Sequence, residues 1–454
     1  MNVLNQLLSI LISYAEWIML FFVIGGGIYL VFYSRWIPYR YFIHAIKIVS
    51  GKYDKSNATG EITHIQALSS AVAATVGLGN ISGVAIAIYY GGPGVVFWMW
   101  VTALIGMCIK FYSCTLAVMF RKTTKNTVIG GPMYYMSIGM GPKAKPLAVT
   151  FCIAGLVGVL PGFTVNQFTQ TVIHVVQPNE TILALGTFNW QLIIGITLVI
   201  FTTIVIFGGL KKIVRVSTAI VPFMVFLYFV SVIIMMGLNP EKVFPSFSLI
   251  FKEAFNFNAA AQGGFWGLVI LGVRRAVFSN ESGVGNAPMF HGQSKTSEPI
   301  HEGLTAMLGP FIDTIIVCTL TAIIIIISGV YTDGESNGII MTLNAFEKLL
   351  FGYGAEILMV LVAAFALSTL FTYSYYGTKC LSFLTNEKIG KFYNYIYIFS
   401  IIFAAIATLD LIINLIDLAF AIMCIPNMIA VIYLAPKVNE SIKVYLKKRK
   451  YEYS

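Results

Sequence analysis

An apolar run over residues 67–90 is interrupted at its centre by glycines, and this interruption constrains the fold more than any other stretch. The run is long enough to cross a bilayer. Gly77, Gly79 and Gly83 are poor helix formers, each costing about 1 kcal/mol relative to alanine. An opened backbone survives in lipid only where protein buries it or where it lines a polar cavity. The run therefore predicts a discontinuous helix at a buried site.

Such a break would carry opposite partial charges on its two sides. The second half-helix, beginning near Asn80, would direct its positive end at an anion, while the freed carbonyls face a cation. A close-packed helix contact is the alternative, because small residues also let neighbouring spans approach each other.

The remainder of the chain is equally apolar. Its 454 residues are 58% hydrophobic and 11% charged, with a mean hydropathy of +0.83, which indicates a polytopic membrane protein and excludes a soluble one. Six cysteines without a Cys-x-x-Cys pair are expected to be buried free thiols. We predict about eleven transmembrane helices. The predicted spans are 14–34, 67–90, 95–119, 147–173, 189–208, 215–237, 256–280, 304–330, 355–376, 393–410 and 414–435.

Basic residues alternate between the segments that connect these spans. Of the 29 lysines and arginines, 26 fall on one set of alternate segments, and only Lys242, Lys252 and Lys348 fall on the other. The positive-inside rule then places the N-terminus outside and the basic tail, 436–454, in the cytoplasm. The net charge of +10 is thus explained by topology, and no nucleic-acid partner is expected.

The order of the spans suggests an internal repeat. After the first span, two groups of five have opposite orientations, as an inverted-repeat transporter requires. The first span of the second group contains the glycine-rich string 261–267, AQGGFWG, so we predict a second mid-span break there; chance clustering of glycines is the alternative. We predict one membrane domain over 1–454, comprising an extra helix (14–34), two five-helix repeats (67–237 and 256–435) and the tail.

Several strings resemble one transporter family, and they occur in that family's order across nearly the whole chain. They are ALSSAVAATVGLGNISGV (67–84), GGPGVVFWMWV (91–101), GGPMYY (130–135), FSNESGVGNAP (278–288) and SYYG (374–377). The chain thereby resembles the alanine/glycine:cation symporters. The resemblance implies an all-α, leucine-transporter-like (LeuT-like) five-plus-five fold with one extra N-terminal helix. It also implies sodium-coupled uptake of a small neutral amino acid across a prokaryotic cytoplasmic membrane, with sodium as co-transported cation and no other cofactor.

A zwitterionic amino acid needs a partner for each of its charges. Free N–H groups around Gly77, Gly79 and Asn80 suit the carboxylate, and carbonyls near Gly263 and Gly264 suit the ammonium. Two further candidates rest on the resemblance. Gln167 follows the Pro161-Gly162 break and matches a substrate-facing glutamine of the family; a helix-to-helix hydrogen bond is the alternative role. Phe265 resembles an aromatic residue that covers the substrate, and packing in the core or against lipid is the alternative.

Sodium prefers oxygen ligands, and adjacent hydroxyls at Ser368 and Thr369 stand in an otherwise apolar helix. With carbonyls of the Thr75–Gly77 stretch, Val76 included, they would form a neutral cage in this fold. Hydroxyls that bond back to the carbonyl four residues earlier are the alternative. The chain departs from the family at two pocket positions, with Tyr373 in place of the usual tryptophan and Leu78 in place of a small or hydroxyl residue.

Other functions are less well supported by the residues. A proton-coupled permease would need a titratable group in the core, and Asp313, Asp410 and Asp417 are expected near span ends. A channel would need a pore or filter repeat. An enzyme is not expected, because the five histidines lack ligand spacing. Residues 280–285 are interpreted as a gate or hinge, or equally as a simple capped loop.

Overall fold

The computed structural model describes residues 12, 14–54, 58–123, 128–176, 186–255, 264–334 and 337–452. The chain is almost entirely helical. The first half comprises α1 (Tyr14–Tyr33), α2 (Ile37–Arg40), α3 (Phe42–Val49), α4 (His64–Thr75), α5 (Leu78–Gly91), α6 (Val95–Met119), a hairpin of β1 (Lys122–Thr123) and β2 (Val128–Ile129), α7 (Pro132–Tyr134), α8 (Lys145–Gly158), α9 (Gly162–Val176), α10 (Thr187–Ile206) and α11 (Gly209–Leu238).

The second half comprises α12 (Pro240–Glu253), α13 (Gly264–Asn280), α14 (Ala287–His291), α15 (Pro299–Ala306), α16 (Leu308–Pro310), α17 (Thr319–Ser328), α18 (Ile339–Leu349), α19 (Gly354–Leu384), α20 (Glu387–Gly390), α21 (Tyr393–Ile406) and α22 (Leu409–Glu452). π-Helical turns occupy Phe21–Gly26, Tyr135–Gly139 and Phe311–Cys318, and 3₁₀ turns occupy Pro142–Ala144 and Val330–Thr332.

The helices confirm the predicted membrane architecture. Within the described ranges, nine helices are long and apolar enough to span a membrane, or ten when the bent pair α4 and α5 is counted as one span. These ten correspond to ten of the predicted spans. The remaining one, 256–280, is described only from Gly264, where α13 begins.

The broken helix lies at the centre of the packing. Thr63 starts α4 with a capping box, in which its hydroxyl accepts from the Gln66 N–H and its own N–H donates to the Gln66 side chain. The helix ends at Thr75, and α5 departs at an angle of 41° after a two-residue break. Helices α11 and α19 pack against α4, whereas α13 and α18 pack against α5. Each half is thus held by different helices.

The end of the chain differs from expectation. The predicted span 414–435 and the basic tail as far as residue 452 form one continuous helix, α22, because the prolines at 426 and 436 do not interrupt it. The part beyond the membrane is docked on the body, where Asn439 accepts a 2.6 Å hydrogen bond from Tyr112 and Tyr445 contacts His44 at 2.5 Å. The amphipathic α12 is a further element that the apolar pattern did not predict.

Candidate functional site

The break between α4 and α5 is built by the sequence Val76-Gly77. Gly77 is fully extended (φ −148°, ψ −151°), and its N–H donates to the Asn80 side chain at 3.1 Å. Asn80 thereby caps α5 from inside the helix. The first N–H groups of an α-helix have no partner within it, so those of Leu78 and Gly79 are directed at the break, as the sequence predicts for an anion site.

A small cavity of about 30 Å³ opens at this break, and we call it the break cavity. Five of the residues predicted from the sequence line it. They are Thr75, Gly77, Gly79, Thr369 and Tyr373. The other lining residues are mostly apolar, and they are Ala74, Leu78, Leu160, Phe163, Thr164, Phe278, Ile416 and Phe420. The cavity is therefore enclosed by α4, α5, α9, α13, α19 and α22, with the ends of the broken helix exposed to it.

Ser368 and Thr369 face the end of α4. The Thr369 hydroxyl lies 3.2 Å from the Ala73 carbonyl and 3.1 Å from the Phe365 carbonyl. The Ser368 hydroxyl lies 3.4 Å and 2.9 Å from the same two carbonyls. Four neutral oxygens from two helices therefore converge. In this conformation the Thr369 hydroxyl bonds back to the carbonyl four residues earlier, and the Ser368 hydroxyl bonds back to the carbonyl three residues earlier. Both hydroxyls also reach across to the broken helix.

Groups of Thr75 and Val76 other than the predicted carbonyls bond within α4. The Thr75 hydroxyl donates to the Ala71 carbonyl at 3.2 Å, and the Val76 N–H donates to the Val72 carbonyl at 2.7 Å. The Ala73 carbonyl lies next to the hydroxyls of Ser368 and Thr369. Sequence reasoning missed Ala73 and Phe365 because a backbone carbonyl carries no signature in the residue type.

Asn80 and Gln167 lie beside the break cavity and point elsewhere. The Asn80 amide donates to the Asp313 carbonyl at 3.0 Å and to the Cys318 thiol at 3.5 Å. Gln167 accepts from the Ser82 hydroxyl and from the Ile339 N–H, the latter at 3.2 Å. Its side chain therefore joins α9 to α5 and α18, which is the helix-to-helix role given as its alternative. On α9, Phe163 and Thr164 line the cavity one turn earlier.

The glycine-rich string 261–267 does not form a mid-span break where the structure describes it. Gly263 lies outside the described residues. Gly264, at φ +66°, starts a helix that continues to Asn280. Phe265 packs edge-on against Trp98, with ring centroids 5.5 Å apart. At 1.5 Å per residue it lies about 20 Å along α13 from Phe278, the aromatic that lines the cavity.

A second interruption of helix follows the other end of α13, beyond the predicted span 256–280. The segment between α13 and α14, 281–286, is non-helical and fully buried. Its glycines at 283 and 285 have φ of +89° and +100°, a region that side chains disfavour. The break cavity borders the last turn of α13 before this segment, because Phe278 lines the cavity and a Cβ atom built on Gly79 would lie 3.7 Å from the Phe278 ring and the Ser279 Cα atom. The broken helix therefore meets the string 278–288 at the end of α13.

Tyr373 connects the cavity to this second interruption. Its ring lines the cavity, and its hydroxyl donates to a carboxylate oxygen of Glu281. Glu281 is only 1% exposed. The tyrosine hydroxyl thus has a partner inside the protein and does not add a free polar group to the cavity.

Buried charged groups are the feature that sequence reasoning placed wrongly. Asp313 is fully buried rather than interfacial, and it accepts from the hydroxyls of Ser279 (2.5 Å) and Thr314 (2.9 Å). Lys110, in the middle of α6, is only 3% exposed. The expectation that the core lacks titratable groups is therefore wrong. The signal was present in the sequence as a lysine inside an apolar span, which is costly unless a carboxylate is near.

A carboxylate also joins two of the histidines. Glu302 is fully buried and bonds the Nδ1 atoms of His64 and His291, the latter at 2.6 Å. This bridge ties the first residue of α4 to α14 and α15. Within the described residues no group of three or more histidine, cysteine or acidic side chains has the geometry to hold a metal ion.

One histidine outside the spans is also perturbed. Burial, together with the neighbouring positive charges of Arg449 and Lys47, lowers the pKa of His44 to about 4. His44 is therefore neutral at physiological pH, in contact with the Tyr445 hydroxyl.

Comparisons with known proteins agree with this architecture. The profile of the sodium:alanine symporter family matches residues 1–454. The "Sodium/alanine symporter AgcS" of Methanococcus maripaludis is 35% identical, over 96% of this chain and 95% of its own length. The "Amino-acid carrier protein AlsT" of Bacillus subtilis is 33% identical, over 98% of this chain and 93% of its own length.

A solved structure supports the fold. The crystal structure of MhsT in complex with L-phenylalanine superposes with a TM-score of 0.57 at 15% identity, covering 82% of this chain and 89% of that one. The fold is therefore LeuT-like, as the resemblance implied. The chain belongs to the sodium:alanine symporter family, whose members are sodium-coupled amino-acid transporters of the prokaryotic plasma membrane and not enzymes.

Proposed function

We propose that the transported amino acid is small and neutral, of the alanine or glycine type, and that it binds at the break cavity. The observation that carries this proposal is the convergence of Gly77, Gly79, Thr369 and Tyr373 on one cavity. Orphan N–H groups of α5 suit the carboxylate. The apolar side chains around them suit a side chain no larger than a methyl or ethyl group.

The polar atoms of the cavity support a neutral substrate. Its lining residues include three threonines and one tyrosine but no acidic or basic residue. A charged substrate side chain would be buried without a counter-ion, which costs several kcal/mol. The Tyr373 hydroxyl is engaged by Glu281, so a polar side chain finds few partners. These features favour alanine and glycine over larger polar or charged amino acids.

The co-transported sodium ion fits the four oxygens beside the cavity. In this proposal, the hydroxyls of Ser368 and Thr369 and the carbonyl of Ala73 coordinate it, together with the Phe365 carbonyl. The Thr75 and Val76 carbonyls next to the break would complete the set. All these ligands are neutral oxygens, which suits a monovalent hard cation. Because Thr369 also lines the cavity, sodium and amino acid would stabilise the same geometry of the break, and each would tighten binding of the other.

The organisation of the chain in the membrane follows the same proposal. The N-terminus would lie outside and the tail inside, with the extra helix at 14–34 and repeats at 67–237 and 256–435. Transport into the cell would proceed by alternating access, with the repeats moving around the break cavity.

Uptake by the purified protein in proteoliposomes tests this function. A panel of labelled amino acids is supplied under an inward sodium gradient, with potassium and proton gradients as controls. We expect accumulation of alanine or glycine under sodium alone. Equal uptake under all three gradients would contradict sodium coupling, and preference for a charged amino acid would contradict the assignment of the cavity.

A further inference from the structure

The hydrogen bond between Tyr373 and Glu281 joins the wall of the cavity to a buried carboxylate. Tyr373 lies within α19, and Glu281 directly follows the last residue of α13. The bond crosses 92 positions in sequence. The position of the tyrosine ring is therefore set by a different helix from the one that carries it.

Glu281 is held in an unfavourable backbone conformation. Its φ is +54°, which costs about 1–2 kcal/mol for a residue with a side chain. The surrounding contacts fix it there, because its N–H donates to the Val277 carbonyl at 2.8 Å and its carbonyl accepts from Val284 at 3.1 Å. The Asn427 side chain donates to the carbonyl of Gly283, two residues after Glu281, at 2.7 Å. The carboxylate is thus presented to Tyr373 by a rigid turn.

Only one oxygen of this carboxylate is used by the tyrosine. The other, Oε2, is buried and has no hydrogen-bond partner among the described residues. The buried Lys110 side chain interacts electrostatically with Glu281. A buried carboxylate of this kind is retained only where the surrounding charges and hydrogen bonds offset its desolvation. Removing the Tyr373 hydroxyl would leave it with the neighbouring side chains of Asn286 and Lys110.

We propose that Glu281 is a specificity-determining residue, which acts through Tyr373 by fixing the ring against the cavity and by keeping its hydroxyl away from the substrate. This inference rests on the proposed function of the break cavity. With the bond intact, the Tyr373 ring lines the cavity and its hydroxyl is held by Glu281. A substrate side chain then finds no free hydroxyl there, so alanine is preferred to serine. When the bond is lost, the ring or its hydroxyl can move toward the substrate, and serine gains a partner or space.

Glu281→Met and Tyr373→Phe test the pair separately and together. Methionine has no oxygen that accepts from the tyrosine hydroxyl, whereas glutamine would keep an acceptor at this position. The readout is the ratio of the concentrations of unlabelled serine and alanine that halve uptake of labelled alanine in proteoliposomes. We expect Glu281→Met to lower this ratio by about three- to tenfold, the factor for one net hydrogen bond. Tyr373→Phe has no hydroxyl to offer to serine and should lower the ratio less, and the double variant should match Tyr373→Phe, because no bond is then left for Glu281→Met to remove.

Tyr376→Phe is the matched control. Tyr376 lies on the same helix, is fully buried and has a hydroxyl without a hydrogen-bond partner among the described residues, but it does not line the cavity. The serine-to-alanine ratio of Tyr376→Phe should equal that of the wild type. The inference would be overturned by any of three results. The serine-to-alanine ratio could stay unchanged in both single variants, the changes of the single variants could add up in the double variant, or Tyr376→Phe could change the ratio as much as the pair variants do.

The outcomes distinguish this inference from the proposed function. If the wild type accumulates no small neutral amino acid under a sodium gradient, the proposed function fails. If it does so and the ratios do not respond as described, only the role of Glu281 fails. Should Glu281→Met not yield folded protein, as judged by thermal unfolding in detergent, Tyr373→Phe against Tyr376→Phe decides the question alone.

Discussion

The hydroxyl of Thr369 occupies the space in which a side chain at Gly77 would lie. A Cβ atom built on Gly77 would be 2.6 Å from the Thr369 Oγ1 atom, closer than real carbon and oxygen atoms approach. The break in the helix and the hydroxyl-bearing helix α19 are therefore matched to each other at the point where the proposed amino-acid and sodium sites adjoin.

Gly77→Ala should abolish transport while leaving the protein in the membrane. The added methyl group must displace Thr369 or widen the break, and either change separates groups that have to act together. The measurement is alanine uptake at matched surface expression. Gly83→Ala is the control, because a Cβ atom there has no neighbour within 4 Å, and it should transport normally. Normal uptake by Gly77→Ala would mean that the close approach is not required.

A larger residue at the next glycine tests the other wall of the cavity. A Cβ atom built on Gly79 would lie 3.7 Å from the Phe278 ring, an ordinary van der Waals contact, so a methyl group fits there and a larger side chain meets the ring. Gly79→Ala should retain part of the activity, whereas Gly79→Leu should lose it. The comparison is uptake of labelled alanine by the two variants, and equal activity in both would show that this glycine serves helix packing alone.

Thr369→Ala should raise the sodium concentration that gives half-maximal uptake. Losing one oxygen ligand should cost about 1–3 kcal/mol, by analogy with a lost buried polar partner. Thr378→Ala is the matched control, since Thr378 makes the same back-bond along α19, to the Ser374 carbonyl at 2.9 Å, away from the cavity. An unchanged sodium dependence in Thr369→Ala would assign its hydroxyl to the helix back-bond only.

Glu302→Gln should destabilise the protein. A neutral amide has one acceptor oxygen and cannot accept from both His64 and His291, so a buried donor loses its partner. Breaking a buried charged network typically costs about 3–5 kcal/mol. The measurement is the thermal unfolding midpoint in detergent. Asp54→Asn is the control, because that carboxylate is 3.7 Å from His64 and 45% exposed; its midpoint should move little, and a larger shift there than in Glu302→Gln would contradict the prediction.

The low pKa of His44 predicts a pH dependence of stability. The folded value of about 4 lies below the ordinary value of 6.5, so the unfolded chain binds the proton more readily. Stability should therefore be constant above about pH 6.5 and should fall between there and pH 4. His44→Phe should remove this part of the dependence. An identical pH profile of unfolding in wild type and variant would show that His44 does not contribute.

Much of this architecture could be predicted from the sequence, because membrane topology depends on patterns that are visible in residue types. Hydropathy and the glycines at 77, 79 and 83 predicted both the spans and the broken helix. The contact between Gly79 and the end of α13 could not be predicted in the same way. It depends on the packing of Phe278 beside the break, which the residue types in the string 278–288 do not specify.

The finer chemistry depends on atoms that the sequence does not specify. The carbonyls of Ala73 and Phe365 are backbone atoms, and Asn80 is used as a helix cap, which its residue type permits as readily as substrate binding. Tyr373 could be assigned to the pocket from its position in the family pattern. Its hydrogen bond with Glu281 could not, because the two residues are brought together only by the turn after α13.

If sodium and a small amino acid bind next to each other at the break, each should strengthen binding of the other. Equilibrium binding of labelled alanine to the purified protein should be measured over a range of sodium concentrations, with choline as the replacement cation. We expect sodium to tighten alanine binding and alanine to tighten sodium binding by the same factor. Thr369→Ala should shift the effect to higher sodium concentrations. Alanine affinity that is the same in sodium and in choline would contradict the proposed adjacency of the two sites.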